Sequence, residues 1–74
     1  MPPVPVLRPA VVVKTFQKPG WEVVRQRASY ILTKPGHLAT LSIPNHSEVA
    51  RGTLRGLISK AGLTIEQFLE AHDK

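Results

Sequence analysis

The chain has 74 residues, no cysteine and a formal charge of +5. A domain this short buries only about 60% of the surface of its unfolded chain, and without cysteines neither disulfides nor a thiolate zinc site can compensate. We therefore expect one domain over residues 1–74 that gains stability from a partner or from self-association. No stretch approaches the roughly 20 apolar residues that span a bilayer, and the first residues do not resemble a signal peptide, which predicts a cytoplasmic protein without a membrane contact.

The charge is unevenly distributed along the chain. Residues 1–62 carry nine Lys and Arg against two Glu, a net of +7, whereas residues 63–74 carry one Lys against three acids, a net of −2. A basic body suits a polyanion such as RNA or DNA, although the same charge also serves solubility. Three histidines without ligand spacing, in a chain without cysteine, argue against a metal site, and no cofactor is predicted.

The predicted elements begin with a short helix. Residues 1–8 contain three prolines and are predicted to form an extended lead-in. Pro9 suits the first turn of a helix, and Pro19-Gly20 ends it. Val12 and Phe16 fall at helical spacing on the side expected to face the core.

Three strands are predicted next, over residues 21–26, 30–33 and 38–43. Pro35-Gly36 at the centre of residues 34–37 is typical of a type II turn joining the second strand to the third. With Lys34 opposite His37, alternate residues separate onto two faces of an antiparallel sheet. The face predicted to be in the core carries Ala28, Tyr30, Leu32, Ala39, Leu41 and Ile43. The face predicted to be exposed to solvent carries Ser29, Ile31, Thr33, Leu38, Thr40 and Ser42.

Two helices complete the chain. The first, over residues 52–61, ends at Gly62 in the manner of a C′ glycine, and Thr64 with Gln67 forms a capping box for a short acidic terminal helix within 63–74. The order α-β-β-β-α predicts an α+β fold in which helices cover one face of a three-stranded antiparallel sheet. The residues expected to be buried are Val12, Phe16, Leu32, Leu41, Leu54 and Leu57.

A series of short motifs gives a more specific indication. The motifs are Trp21-Glu22-Val23-Val24-Arg25-Gln26, Ile43-Pro44-Asn45-His46, Gly52-Thr53-Leu54-Arg55, Ala61-Gly62-Leu63-Thr64 and Glu66-Gln67-Phe68. In this order and spacing they resemble the HicA (YcfA-like) toxins of toxin–antitoxin modules, over nearly the whole chain. The resemblance implies a fold similar to double-stranded RNA-binding domains, metal-independent cleavage of mRNA, and silencing by an antitoxin called HicB.

The resemblance breaks at the catalytic position. Family members carry Gly-Ser-His at the start of the second strand, and that His is catalytic, whereas this chain has Arg27-Ala28-Ser29-Tyr30. An ungapped alignment places Tyr30 in the position of the His. The predicted strand parity puts Tyr30 on the core face and favours a one-residue deletion that leaves Ser29 there. His46, after the third strand, is the candidate substitute, although a role in anchoring its loop is the simpler expectation.

The missing His matters because RNA cleavage of this type needs a group that takes a proton from a 2′-hydroxyl. Histidine ordinarily titrates near neutral pH, whereas tyrosine has a pKa near 10 in model peptides and serine is a weaker acid still. Loss of general-base catalysis typically costs a factor of roughly 10² to 10⁴ in rate.

Three functions therefore remain open from the sequence. The first is a HicA-type ribonuclease, either weakly active or using a different base. The second is a disarmed homologue that only binds RNA or a HicB-like antitoxin, and the third is a protein-interaction module with an incidental positive charge. The residues expected to contact RNA phosphates, each otherwise a solvated cation, are Arg25, Arg27, Lys34, Arg51, Arg55 and Lys60.

Overall fold

The computed structural model describes residues 4–74, so part of the predicted lead-in lies outside the described residues. The elements in chain order are α1 (Pro9–Gln17), β1 (Glu22–Gln26), β2 (Ser29–Thr33), β3 (Leu41–Pro44), α2 (Arg51–Lys60) and α3 (Ile65–His72). The predicted α+β class is confirmed, as is the α-β-β-β-α order with a further helix after Gly62. Within residues 4–74 there is no helix of the length and hydrophobicity that crossing a membrane requires.

The predicted helix signals act as expected. Pro9 is the first residue of α1. Gly20 and Gly62 have φ angles of 111° and 77°, in the left-handed region where glycine is favoured. After α2, the N–H of Leu63 donates to the carbonyl of Ile58 (3.1 Å), which satisfies one of the last carbonyls of the helix. At the start of α3, the Thr64 side chain and the Gln67 side chain each accept a backbone N–H of the other residue, which confirms the capping box.

The sheet is antiparallel in the order β1-β2-β3. In β2 and β3, Leu32 pairs with Leu41 and Tyr30 pairs with Ile43, so these four side chains lie on one face. Helices α1 and α2 both contact β3, and Leu32, Leu41 and Ile43 are fully buried beneath them. The predicted core face is thereby confirmed for Tyr30, Leu32, Leu41 and Ile43. Ala28 and Ala39, predicted on the same face, lie outside the strands, with Ala28 exposed in the turn before β2 and Ala39 half-buried before β3.

The start and register of the third strand were predicted wrongly. The strand begins at Leu41 rather than at residue 38, and Leu32 faces Leu41 instead of Ala39. The displacement is two residues. Because side chains alternate with a period of two, this shift leaves every strand side chain on its predicted face.

The position of His37 explains the displaced register. The predicted turn does form, because the His37 N–H donates to the Lys34 carbonyl (3.0 Å) and Gly36 has a φ of 79°. Beyond the turn, however, the His37 ring packs on the ring of Trp21, with 5.0 Å between ring centroids. Its Nε2 also lies against Gly62, 3.6 Å from the site that a Cβ would occupy. The chain is thus held away from β2 for three more residues before the strands pair.

The core lies between the sheet and the helices. All six residues expected to be buried are buried, at 7% exposure for Leu57 and 0% for the other five. Phe16 of α1 and Phe68 of α3 meet with 5.1 Å between ring centroids, which joins the terminal helix to the same core. Val4 is 1% exposed, so the lead-in also contributes to this core.

Candidate RNA interface

Two loops meet at one end of the sheet. The turn between β1 and β2 and the loop between β3 and α2 are joined by a hydrogen bond from the Asn45 N–H to the Ala28 carbonyl (3.1 Å). Next to this bond, Ser29 pairs with Pro44 in the ladder. We call this region, residues 27–29 and 45–51, the β1–β2 end. It contains Ser29 and adjoins Tyr30, the two residues considered above for the catalytic position.

Ser29 and Tyr30 lie on opposite faces of β2 at this end. Tyr30 is half-buried and packs against the hydrophobic core, in the row of Ile43. Ser29 is half-buried as well, but it alternates with Tyr30 and so lies on the face away from the helices. A side chain that contacts RNA must be reachable from solvent, so the position of Tyr30 agrees with the choice of Ser29 for the catalytic position, which stays a prediction.

His46 is the histidine nearest to that position along the hydrogen-bonded backbone. It follows Asn45 directly and is exposed, so its ring is open to a ligand at the β1–β2 end. His37 lies at the other end of β2, which is about 13 Å away for a strand of this length. His72 lies in α3, with its Nδ1 3.5 Å from the carboxylate of Asp73.

Two of the predicted cations flank the β1–β2 end. Arg27 is exposed in the turn, where its N–H donates to the Ser29 carbonyl (3.1 Å). Arg51 is the first residue of α2 and is exposed, and its Nε donates to the carbonyl of Val4 (3.1 Å). That bond fixes the guanidinium and leaves its two Nη groups available for a phosphate. Ala50 gives α2 no side-chain cap, and its first turn contains no acidic residue, so the partial positive charge of the helix start is not offset within the helix. Glu48, exposed in the loop before α2, is the one acidic residue of the β1–β2 end.

The other four predicted cations do not join this cluster. Arg25 is exposed on β1, in the row of Ile31 on the open face of the sheet. Arg55 and Lys60 are exposed farther along α2, whose ends are about 13 Å apart. Lys34 is half-buried, and its side chain covers Gly20, with Cε 3.3 Å from the site of a Cβ. The six residues are therefore spread over the β1–β2 end, the open face of the sheet, α2 and the opposite end of β2.

The packing of the lead-in against the rest of the domain is not predicted from the sequence. Residues 4–8 run beside the loop before α2, where the Val49 N–H donates to the Leu7 carbonyl (2.7 Å) and Leu7 and Val49 form an isolated bridge. The apolar residues Val4 and Leu7 between prolines were the available signal for a packed rather than a free segment. Within residues 4–74, no three His, Asp or Glu side chains are grouped as metal ligands.

Comparison with known proteins identifies the family. Residues 11–63 match the sequence model of the family described as the HicA toxin of bacterial toxin–antitoxin systems. A search of curated proteins returned no match. The match covers α1 from its third residue, the sheet and α2, and it therefore includes the β1–β2 end.

Proposed function

The chain belongs to the HicA toxin family, and we propose that it acts as the toxin of a toxin–antitoxin pair by binding mRNA at the β1–β2 end. The observation that carries this proposal is the bond between the Asn45 N–H and the Ala28 carbonyl (3.1 Å). It brings the loop of His46 and Arg51 to the turn of Arg27. One surface thus combines two exposed arginines and the exposed His46 with Ser29, the first residue of β2.

The chemistry of this surface suits a phosphodiester backbone. Arg27 and Arg51 carry fixed positive charge, and an arginine fork binds two phosphate oxygens at once. The two acids of residues 1–62, Glu22 and Glu48, are outnumbered by nine cations. Contacts of this kind confer affinity and strong salt dependence but little sequence preference. Arg25, Lys34, Arg55 and Lys60 extend the positive surface beyond the β1–β2 end.

We propose that cleavage is slow because Ser29 occupies the position of the family's catalytic His. A serine hydroxyl does not take up a proton near neutral pH, so the attack of a 2′-hydroxyl on the phosphate would proceed without a general base. If the cleavage rate is zero, the protein is a catalytically inactive homologue that only binds RNA or its antitoxin. His46 favours a second candidate, in which its exposed ring serves as a relocated base.

The proposed protein partner is an antitoxin of the HicB type. Occupation of the basic surface by such a partner would block RNA and raise the melting temperature of the toxin. We also propose that residues 1–74 form one domain and act in the cytoplasm. The packing of Val4 and Phe68 into one core supports the single domain.

The experiment is RNA binding as a function of salt. Affinity for a short RNA should fall steeply as salt rises, and Arg27→Ala or Arg51→Ala should each reduce the slope of log K against log salt by about one. Lys14→Ala is the matched control, because it removes the same charge from an exposed position on α1. Its slope should change much less. Equal effects of all three substitutions would contradict a site at the β1–β2 end, and absence of binding would contradict the RNA proposal.

A further inference from the structure

Strand β1 contains a bulge that sets the direction of Arg25. Val23 pairs with Leu32, but the next pair joins Arg25 to Ile31, so Val24 and Arg25 together stand opposite one residue of β2. In a regular strand, Arg25 would lie on the same face as Val23, which packs against the core. The extra residue reverses this alternation and directs Arg25 to the open face of the sheet, which the helices do not cover. Bulges often redirect a side chain in this way beside a functional site.

The bulge also brings Arg25 close to position 29. Ser29 and Ile31 alternate along β2 and so share the open face, and Arg25 is paired with Ile31. Ser29 is therefore a diagonal neighbour of Arg25, at about 7–8 Å, a separation that a long side chain can span. Arg25 can thus reach a ligand group that lies over Ser29.

The Arg25 guanidinium is available for such a contact. It is exposed, and the ion pairs of residues 4–74 all lie within residues 70–74, so Arg25 has no carboxylate partner there. The acid of β1, Glu22, pairs with Thr33, which is four residues from Ser29 and about 13 Å away along the strand. The positive charge of Arg25 is therefore not neutralised next to position 29.

The neighbouring side chains leave room for a nucleic-acid strand. Ile31 pairs with Ser42 of β3, and Ser29 pairs with Pro44, so the β3 residues beside position 29 are small or compact. Val24 is 59% exposed at the bulge and offers an apolar group that a ribose or a base can cover. A phosphodiester backbone can therefore approach this part of the sheet closely.

We propose that Arg25 binds the phosphate that lies over position 29, so that the RNA strand crosses the open face of the sheet. This inference rests on the proposed RNA binding and adds the path of the strand. An arginine fork holds two oxygens of one phosphate and fixes its orientation, which a lysine does not do. Helix α2 packs on the opposite face of the sheet, so Arg55 and Lys60 do not contact this part of the strand.

The test is NMR spectroscopy of the isotope-labelled full chain, titrated with a short 2′-O-methyl RNA, which lacks the free 2′-hydroxyl that cleavage requires. The Nε–H signal of Arg25 and the amide signals of Ser29 and Ile31 should shift as RNA is added. The Nε–H signal of Arg55 is the internal control and should shift much less. Binding with shifts confined to α2 would overturn this inference and leave RNA binding in place, whereas no binding at all would overturn both.

Substitution of Arg25 gives a second, independent measurement. Arg25→Ala should lower the slope of log K against log salt by about one. Arg25→Lys should keep the slope, because it keeps the charge, but should weaken binding several-fold through loss of the fork. Lys14→Ala is the matched control for charge, and circular dichroism checks that each variant is folded. A folded Arg25→Ala variant whose slope changes no more than that of Lys14→Ala would overturn the assignment of Arg25.

Discussion

His46 and His37 lie at opposite ends of the sheet in opposite surroundings. At the β1–β2 end, backbone hydrogen bonds hold the loops together, and the side chains of His46, Arg27 and Arg51 remain exposed. At the other end, the rings of His37 and Trp21 pack together and hold the backbone in place. The exposed side chains at the β1–β2 end are therefore free to contact a ligand, whereas His37 stabilises the fold through its packing on Trp21. Residue type alone would not have separated the two histidines.

The largest expected effect comes from removing the Trp21 ring, at the end of the sheet where His37 lies. Trp21 is 1% exposed and contacts both the core and His37. Trp21→Ala should lower the free energy of unfolding by about 3–5 kcal/mol, which is enough to unfold much of so small a domain. Arg27→Ala, at the β1–β2 end, should change it by less than about 0.5 kcal/mol. Urea unfolding followed by circular dichroism measures the free energy of unfolding of each variant. Similar losses for the two variants would contradict a structural role for one end and a ligand-binding role for the other.

A smaller effect is expected from two glycines of the α2 region. Gly62 has a φ of 77°, and an added Cβ would lie 3.6 Å from the Nε2 of His37. Gly62→Ala should therefore cost about 1–2 kcal/mol, chiefly through the left-handed backbone. Gly56 lies inside α2 with no atom within 4 Å of an added Cβ, so Gly56→Ala should stabilise the protein by about 0.5–1 kcal/mol. Melting temperatures should shift in opposite directions, and a rise for both variants would show that the turn at Gly62 tolerates a side chain.

Much of the fold could be predicted because its signals are local. Pro9 and Gly62 mark helix ends through their own backbone preferences, and the capping box of Thr64 needs only a residue three positions away. The alternation of Tyr30 and Leu32 likewise sets the faces of β2 without knowledge of its partner. These features depend on neighbours in the chain, which the sequence displays directly.

The remainder depends on contacts between distant residues. The start of β3 is set by His37 packing on Trp21 and Gly62, and no local pattern indicates that contact. The bond from Arg51 to Val4 joins residues 47 positions apart, so the role of the lead-in was missed. The candidate site was predicted only in part, because it too combines local and distant features. The alternation of residues along β2 is local and correctly predicted the face on which Tyr30 lies. The separation of Lys34 and Lys60 from Arg27 depends on how the elements are arranged in space, which the sequence does not display.

RNA cleavage tests whether a serine stands where a catalytic histidine would act. The wild type should bind RNA and cut it slowly. Ser29→His should raise the cleavage rate by roughly 10²-fold or more, because it restores a base on the open face. Tyr30→His should give no gain and should lower the melting temperature, since Tyr30 packs against the core. A gain for Tyr30→His alone, or rapid wild-type cleavage that His46→Ala abolishes, would contradict the assignment of Ser29 to the catalytic position.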